Sequence, residues 1–335
     1  MMKTESVLLQ TLCVPCANRC RYCLLSWDGT AVGAAWDRSV ELARGFKTWI
    51  AEHRPELTFS FAFGYSMEHP DLRNALRTLR EIGSPQSEFL QCDGMRMRDA
   101  AECAALAEML AQEGVKQLNF TLYGLPDYHD RFAARKGDFD LLLRMSRAAK
   151  AAGLKLSVSI PLTAESAPQA DPLLGLLRGQ NVCDRIYLFV PHGEGRGTSL
   201  QSIRFSTDAL KALSDDALAL LNRELYRPEG EWVTGPWYRE ETKRTLLISL
   251  RKDELARCAS MSPGELIAET EALDEAYYAA FPGFRELAER YGDPEGKGFY
   301  RQRDLFHHYR RLYASEFGVR VRDVMDERLT GSRRY

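Results

Sequence analysis

The 335-residue sequence is short of three things, and each shortage narrows its reading. No apolar run is long enough to span a bilayer, and no charged-then-apolar leader opens the chain, so a cytoplasmic protein without a membrane partner is expected. There is no basic surplus: 45 Lys and Arg stand against 47 Asp and Glu, for a formal net charge of −2. Nucleic-acid binders carry a positive excess, so nucleic acid is not an expected partner, although a local basic groove stays open. Cysteine is thin over most of the chain. Cys92, Cys103, Cys183 and Cys258 lie singly, and packing in a core is the default for each. Internal repeats and low-complexity tracts are absent as well.

What is present is an ordinary globular composition, 45% hydrophobic and 27% charged, on a chain long enough for one large domain with an extension, or for two domains. Apolar strand-like runs alternate with helical patterns through the first 200 residues. The strands are expected at Val7–Leu12, Leu57–Phe63, Glu88–Cys92, Lys116–Leu122, Leu154–Pro161 and Arg185–Val190. Helices are expected at Asp37–His53, Asp71–Ile82, Asp99–Glu113, Asp138–Ala152 and about Asp171–Arg178. Several open on Asp, a good N-cap, and Gly114 and Gly153 stand where C-caps belong. Strands separated by helices pair in parallel through right-handed crossovers. Six such units make a partial barrel or an open sheet, with its site at the carboxyl ends of the strands. After residue 200 the pattern changes. Residues 206–225 read as a helix, 226–238 as a Pro-, Gly- and Trp-rich loop, and Arg244–Leu250 as one strand. The remainder reads as helices broken at Pro282-Gly283 and Gly292–Gly298.

The other four cysteines crowd into CVPCANRCRYC, residues 13–23, directly after the first strand. A reducing compartment makes such a cluster a metal site or a catalyst rather than disulfides. A four-cysteine zinc site separates its two knuckles by a long spacer, and here they are three residues apart. The ferredoxin run has a different order and ends in Cys-Pro. The remaining count is C-x3-C-x2-C, using Cys16, Cys20 and Cys23 and leaving Cys13 as a neighbour. Three thiolates can hold three irons of a four-iron cluster and leave the fourth iron open, as a catalytic metal requires. A closed site that uses Cys13 as well remains the competing count.

This stretch resembles the CxxxCxxC motif of the radical S-adenosylmethionine (SAM) superfamily, and the likeness runs over about residues 6–200. The resemblance implies a partial (β/α)6 barrel over residues 1–200, with 201–335 as a mostly helical cap. It implies a 4Fe–4S cluster on Cys16, Cys20 and Cys23, SAM on the open iron, and an external electron donor of flavodoxin or ferredoxin type. Tyr22 fills the place of the aromatic residue that packs near the adenine in such enzymes. Phe63-Gly64-Tyr65-Ser66 stands where relatives carry a GGEP-type motif that helps hold the SAM amino group, which makes Gly64, Tyr65 and Ser66 candidate SAM contacts. Tyr65 replaces the motif's Glu, and Glu68 comes three residues late. Cys92-Asp93-Gly94 stands where relatives often have Thr-Asn-Gly. That would set Cys92 near the barrel mouth as a candidate catalytic hydrogen donor, with core packing as its alternative. Thr121 and Tyr123, at the end of the fourth strand, are candidates to face the cavity. His129 reads as structural rather than catalytic. In the loop Pro191–Gly197, Arg196 offers a fork for the SAM carboxylate, and His192 and Glu194 are candidate substrate contacts.

Many peptide-modifying members of that superfamily carry C-terminal cysteines for auxiliary clusters. Here only Cys258 lies beyond Cys183, so a single cluster is expected. A separate N-terminal peptide-recognition domain is not expected either. Tyr226, Trp232, Trp237 and Tyr238 are candidates to cover the mouth, and the adjacent His307 and His308 point apart. The expected function is hydrogen-atom abstraction from a small molecule or short peptide, with the class of reaction left open. A non-enzymatic iron–sulfur or zinc protein is the rival, and an RNA-modifying member is disfavoured by the charge.

Overall fold

The computed structural model describes residues 3–321 apart from 14, 22, 24–32, 65, 194 and 241, and of Ser66 and Arg196 it describes the backbone alone. The alternation read from the sequence is present. It runs β1 (Lys3–Thr11), α1 (Trp36–His53), β2 (Thr58–Phe63), α2 (Leu72–Ile82), β3 (Phe89–Gln91), α3 (Ala100–Gln112) and β4 (Gln117–Thr121). It continues through α4 (Pro126–Ala133), α5 (Asp138–Ala151), β5 (Lys155–Pro161), α6 (Ala170–Gln180) and β6 (Arg185–Phe189). Asp71 and Asp99 are N-caps, and Asp99 forms a full capping box with Glu102. The local chemistry of the sequence thus sets where the helices start. The fold is α/β, built on parallel strands as the βα order requires.

The strands form two parallel groups, β3-β4-β5-β6 and a second in which β1 lies between β2 and a strand from the C-terminal part of the chain. The extension supplies the strand in this second group. Its elements are α7 (Thr207–Leu210), α8 (Asp215–Leu218), β7 (Arg227–Pro228), α9 (Glu229–Thr234), β8 (Lys243–Leu250), α10 (Leu255–Ala259), α11 (Pro263–Ala279), α12 (Phe284–Tyr291), β9 (Phe299–Tyr300) and α13 (Gln302–Phe317). β8 runs parallel to β1 from Lys3↔Lys243 to Thr11↔Leu250. The helix expected over 206–225 is instead two single turns, α7 and α8, each started by a serine: Ser206 caps one and Ser214 the other. The stretch 226–238 contains β7 and α9 in place of a continuous loop.

Side-chain alternation gives the β3–β5 sheet two unlike faces. Leu90, Leu118, Phe120, Leu156 and Val158 are buried in the apolar core under the helices. Gln91, Asn119 and Ser157 share a row on the other face. Asn119 Nδ2 donates to Gln91 Oε1 at 2.7 Å and Ser157 Oγ to Asn119 Oδ1 at 2.8 Å. The inner face is therefore polar. Among the described residues no helix is long and apolar enough to cross a membrane.

Candidate functional site

The cysteine loop leaves β1 at Thr11, at the carboxyl ends of the strands. Its backbone is fastened to the end of α4, whose last carbonyls have no partner within the helix. Arg19 N–H donates to Ala133 O at 2.9 Å and Arg21 N–H to Phe132 O at 3.0 Å. On the other side, Ala17 N–H donates to Gly94 O at 2.8 Å. Gly94 has φ +74°, and a Cβ on it would overlap Cys16 Sγ. The glycine of Cys92-Asp93-Gly94 is thus required for the thiol to lie where it does. Gly64 is equally close from β2. Its N–H donates to Thr11 O at 2.9 Å, and an added Cβ would lie 2.6 Å from Leu12 Cδ2.

The loop is also anchored from within. Asn18 Nδ2 donates to Asp138 Oδ2 at 2.9 Å, and His129 Nε2 lies 3.1 Å from the same oxygen. Arg135 pairs with the other oxygen. Burial pushes the Asp138 carboxyl up, but His129 and Arg135 outweigh it and hold it below the usual carboxylate range. His129 is fully buried and accepts the Tyr123 N–H at 3.2 Å through Nδ1, a structural role.

Cys16, Cys20 and Cys23 feel one another electrostatically. Tyr123 Oη donates to Cys20 Sγ at 3.1 Å, and Asn18 N–H to Cys16 Sγ at 3.4 Å. Tyr123, Phe132 and Leu200 pack on Cys20, with Cys23 and Ile203 alongside. Burial pushes the Cys16 thiol up to about 12 and that of Cys20 above its ordinary value as well. A metal takes such thiols as thiolates, so loading releases protons. Among the described residues no three His, Cys, Asp or Glu side chains converge as the ligands of one ion. A cluster does not ask for that convergence, because each thiolate binds its own iron. A three-sulfur donor set, two N–H or O–H donors aimed at sulfur, and a glycine cradle under Cys16 fit a cluster with sulfur ligation.

Other expectations are placed as follows. Thr121 is buried at the end of β4; its N–H donates to Asp93 Oδ1 at 2.8 Å and its Oγ1 accepts from Gln91 Nε2 at 3.3 Å. Cys92 is corrected. It is fully buried in the apolar core, on the side of Leu90, while Asp93 turns to the Gln91–Thr121 side. Strand alternation puts neighbouring side chains on opposite faces, and the thiol takes the helix-facing one. Burial raises its pKa well above the ordinary value. Glu68 is engaged elsewhere: it accepts from Arg98 Nη1 at 2.6 Å and from Arg96 N–H at 2.8 Å. His192 is held by Arg301 at 2.8 Å and Asp304 at 3.3 Å. Trp232 is buried and donates to Tyr300 O, Tyr238 stacks on Phe284, and Trp237 lies exposed under Arg227. Tyr22, Tyr65 and Glu194 lie outside the described residues, as do the side chains of Ser66 and Arg196.

Asp93 had no role in the sequence reading. It is half-buried at the end of the polar row, and burial raises its carboxyl to about 6 against the hydrogen bonds from Thr121 and Gln91. The signal for it was the Asp inside Cys92-Asp93-Gly94. Asn18 and Asp138 were missed because they are 120 residues apart.

Comparison with known proteins gives a family match over part of the chain. Residues 13–165 match the model of the radical SAM superfamily. Residues 13–165 are similar to a radical SAM domain. The match begins at Cys13 and takes in all three motif cysteines, and a 4Fe–4S cluster and SAM are the cofactors of that superfamily. The chain is also similar to Streptococcus suis SuiB bound to SAM, at 13% identity and TM-score 0.46 over 73% of this chain and 50% of that one. Coproporphyrinogen III oxidase (HemN) from Escherichia coli, described as a radical SAM enzyme, is 12% identical at TM-score 0.42 over 94% of this chain and 91% of that one. The radical SAM methyltransferase TsrM from Kitasatospora setae is 15% identical at TM-score 0.36, over 56% of this chain and 36% of that one. The chain spans 50% to 58% of the length of SuiB in two of the SuiB structures it matches. No curated protein matches it.

Proposed function

We propose that the protein is a radical SAM enzyme that binds one 4Fe–4S cluster through Cys16, Cys20 and Cys23 and takes a hydrogen atom from a small molecule or short peptide. The observation that carries this reading is the C-x3-C-x2-C loop at the carboxyl end of β1, with its thiols packed together and supported by Gly94 and Tyr123. Bound there, the cofactors supply reductive cleavage of SAM to methionine and a 5′-deoxyadenosyl radical, with the electron coming from an external flavodoxin or ferredoxin.

The chain's own residues then have three tasks. Tyr123 and the Asn18 N–H direct donors at the sulfurs, which favours the thiolate form. Leu200, Ile203 and Phe132 keep water from the sulfurs. The inner row of Gln91, Asn119, Thr121 and Ser159, ending at Asp93, offers donors and acceptors to a polar substrate. Cys92 lies away from that row, so the structure lends no support to a thiol that returns hydrogen to substrate.

Anaerobic reconstitution tests the reading. About four irons per chain and reductant-dependent release of 5′-deoxyadenosine are expected. Bound zinc with no SAM cleavage would overturn it in favour of a structural metal protein. A screen for metabolites or peptides that pass deuterium into 5′-deoxyadenosine then identifies the substrate.

A further inference from the structure

A cleft of about 320 Å³ lies where α11, α12 and α13 meet the start of β8. Arg244 forms one wall and stands in register with Thr4 at the amino end of β1. The cysteine loop leaves the other end of β1. At about 3.3 Å per residue, the seven residues from Thr4 to Thr11 put the cleft and the start of the cysteine loop roughly 23 Å apart along the strand. This is a second place, on the opposite end of the fold from the radical site.

Arg310 marks it. The side chain lines the cleft yet is only 2% exposed. Its guanidinium sits 3.7 Å from the centroid of Phe306 and 4.3 Å from that of Tyr278. Its Nε has no hydrogen-bond partner. On the facing helix, Asp274 and Glu275 are both held by Arg244, at 2.7 and 3.6 Å. Among the described residues no carboxylate lies within ion-pair distance of Arg310; its charge acts on Asp274 only from further off, and Tyr277 and Tyr278 are its nearest polar neighbours. Aromatic faces compensate a buried cation only in part, and an unpaired buried charge is costly. An oxyanion entering the cleft would supply the missing charge. Arg303 lines the same space and adds to its positive character, while Phe281 and Tyr238 give apolar walls. Glu240 and Glu275 also line it and oppose a second negative charge on the ligand.

We propose that this cleft binds a small organic monoanion, a carboxylate on a flat apolar body, with the carboxylate at Arg310 and the body against Phe281 and Tyr238. The guanidinium fork matches a carboxylate, and the volume lies at the small end of ligand pockets.

Titration calorimetry on the full chain, anaerobically reconstituted and loaded with SAM, tests this with phenylacetate as probe. Phenylacetamide is the neutral counterpart and phenyl phosphate the dianion. One saturable site is expected, with phenylacetate at least about tenfold tighter than either. Arg310→Met keeps the contact with Phe306 and removes the charge, and should weaken phenylacetate about tenfold or more. Gly283→Leu covers the case in which that variant does not fold. Gly283 lines the cleft, has an ordinary φ of −64°, and would meet nothing within 4 Å of an added Cβ. Its leucine should fill the space and abolish binding while SAM cleavage stays at the wild-type rate. Three results each overturn the proposal: no phenylacetate binding at about 10 mM, equal binding of the amide or the phosphate, or undiminished binding in Gly283→Leu or a folded Arg310→Met.

Discussion

Gly94 combines two requirements that alanine fails. Its backbone is left-handed, and the volume a Cβ would take belongs to Cys16 Sγ. Gly94→Ala costs about 1–2 kcal/mol in backbone strain and displaces the thiol. Iron bound after anaerobic reconstitution should fall below about half of the wild-type level, with far-UV circular dichroism unchanged. Iron at the wild-type level would mean that the cradle under Cys16 is dispensable. A second residue-scale expectation concerns acid. His308 is half-buried, and burial, followed by the charges of Arg311 and Arg204, lowers its pKa from 6.5 to about 4. Between those values the unfolded chain binds the proton and the folded chain does not. The stability is therefore complete above pH 6.5 and is lost as pH falls toward 4. With solvent screening of a half-buried ring, this amounts to about 2 kcal/mol. His308→Gln should flatten that limb of the urea-denaturation profile by this amount, and an unaltered limb would assign the acid sensitivity to other groups.

At the scale of elements, the junction of α4 and α5 holds the cysteine loop. Asp138 gathers Asn18, His129 and Arg135 on one buried carboxylate. Asp138→Ala leaves those groups without their acceptor, and a broken buried charge network costs about 3–5 kcal/mol. The urea midpoint should drop, and iron loading should drop with it because Asn18 lies between Cys16 and Cys20. Loading that stays full in the folded fraction would confine Asp138 to the scaffold. The same elements show what could be read beforehand. The strands β1 to β6 and most helix starts were legible, because period, Asp caps and glycine stops are local signals. The C-x3-C-x2-C pattern is a local signal too, which is why it could be read at all. The Asn18–Asp138 contact was not, since it joins residues 120 apart. Residues 206–225 misled because two serine caps restart the chain where helical composition continues. Cys92 stayed open between the barrel mouth and core packing because position along a strand does not give the facing of a side chain.

On the scale of the whole molecule, the residues after 200 are part of the same sheet and core as those before it. β8 pairs with β1 at eight positions, and Leu246, Ile248 and Leu250 enter the same apolar core as Val7 and Leu9. α11 closes over that strand: Asp274 pairs with Arg244 at 2.7 Å, and Thr4 Oγ1 donates to Glu271 at 2.6 Å. None of this was visible in the sequence, where Arg244–Leu250 was an isolated apolar run with no indicated neighbour. A chain cut at residue 200 would leave one edge of β1 unpaired, beside a core stripped of Leu246, Ile248, Leu250 and the other apolar side chains that the extension supplies. Exposed apolar edges are templates for aggregation. Such a fragment is expected to be insoluble, or to form oligomers by light scattering, and to load little iron even with all three motif cysteines present. The full chain under the same conditions should be soluble and load about four irons. A monomeric fragment with a melting temperature near that of the full chain would make residues 1–200 a self-sufficient barrel. It would also reduce β8 to an accessory strand laid against a completed fold.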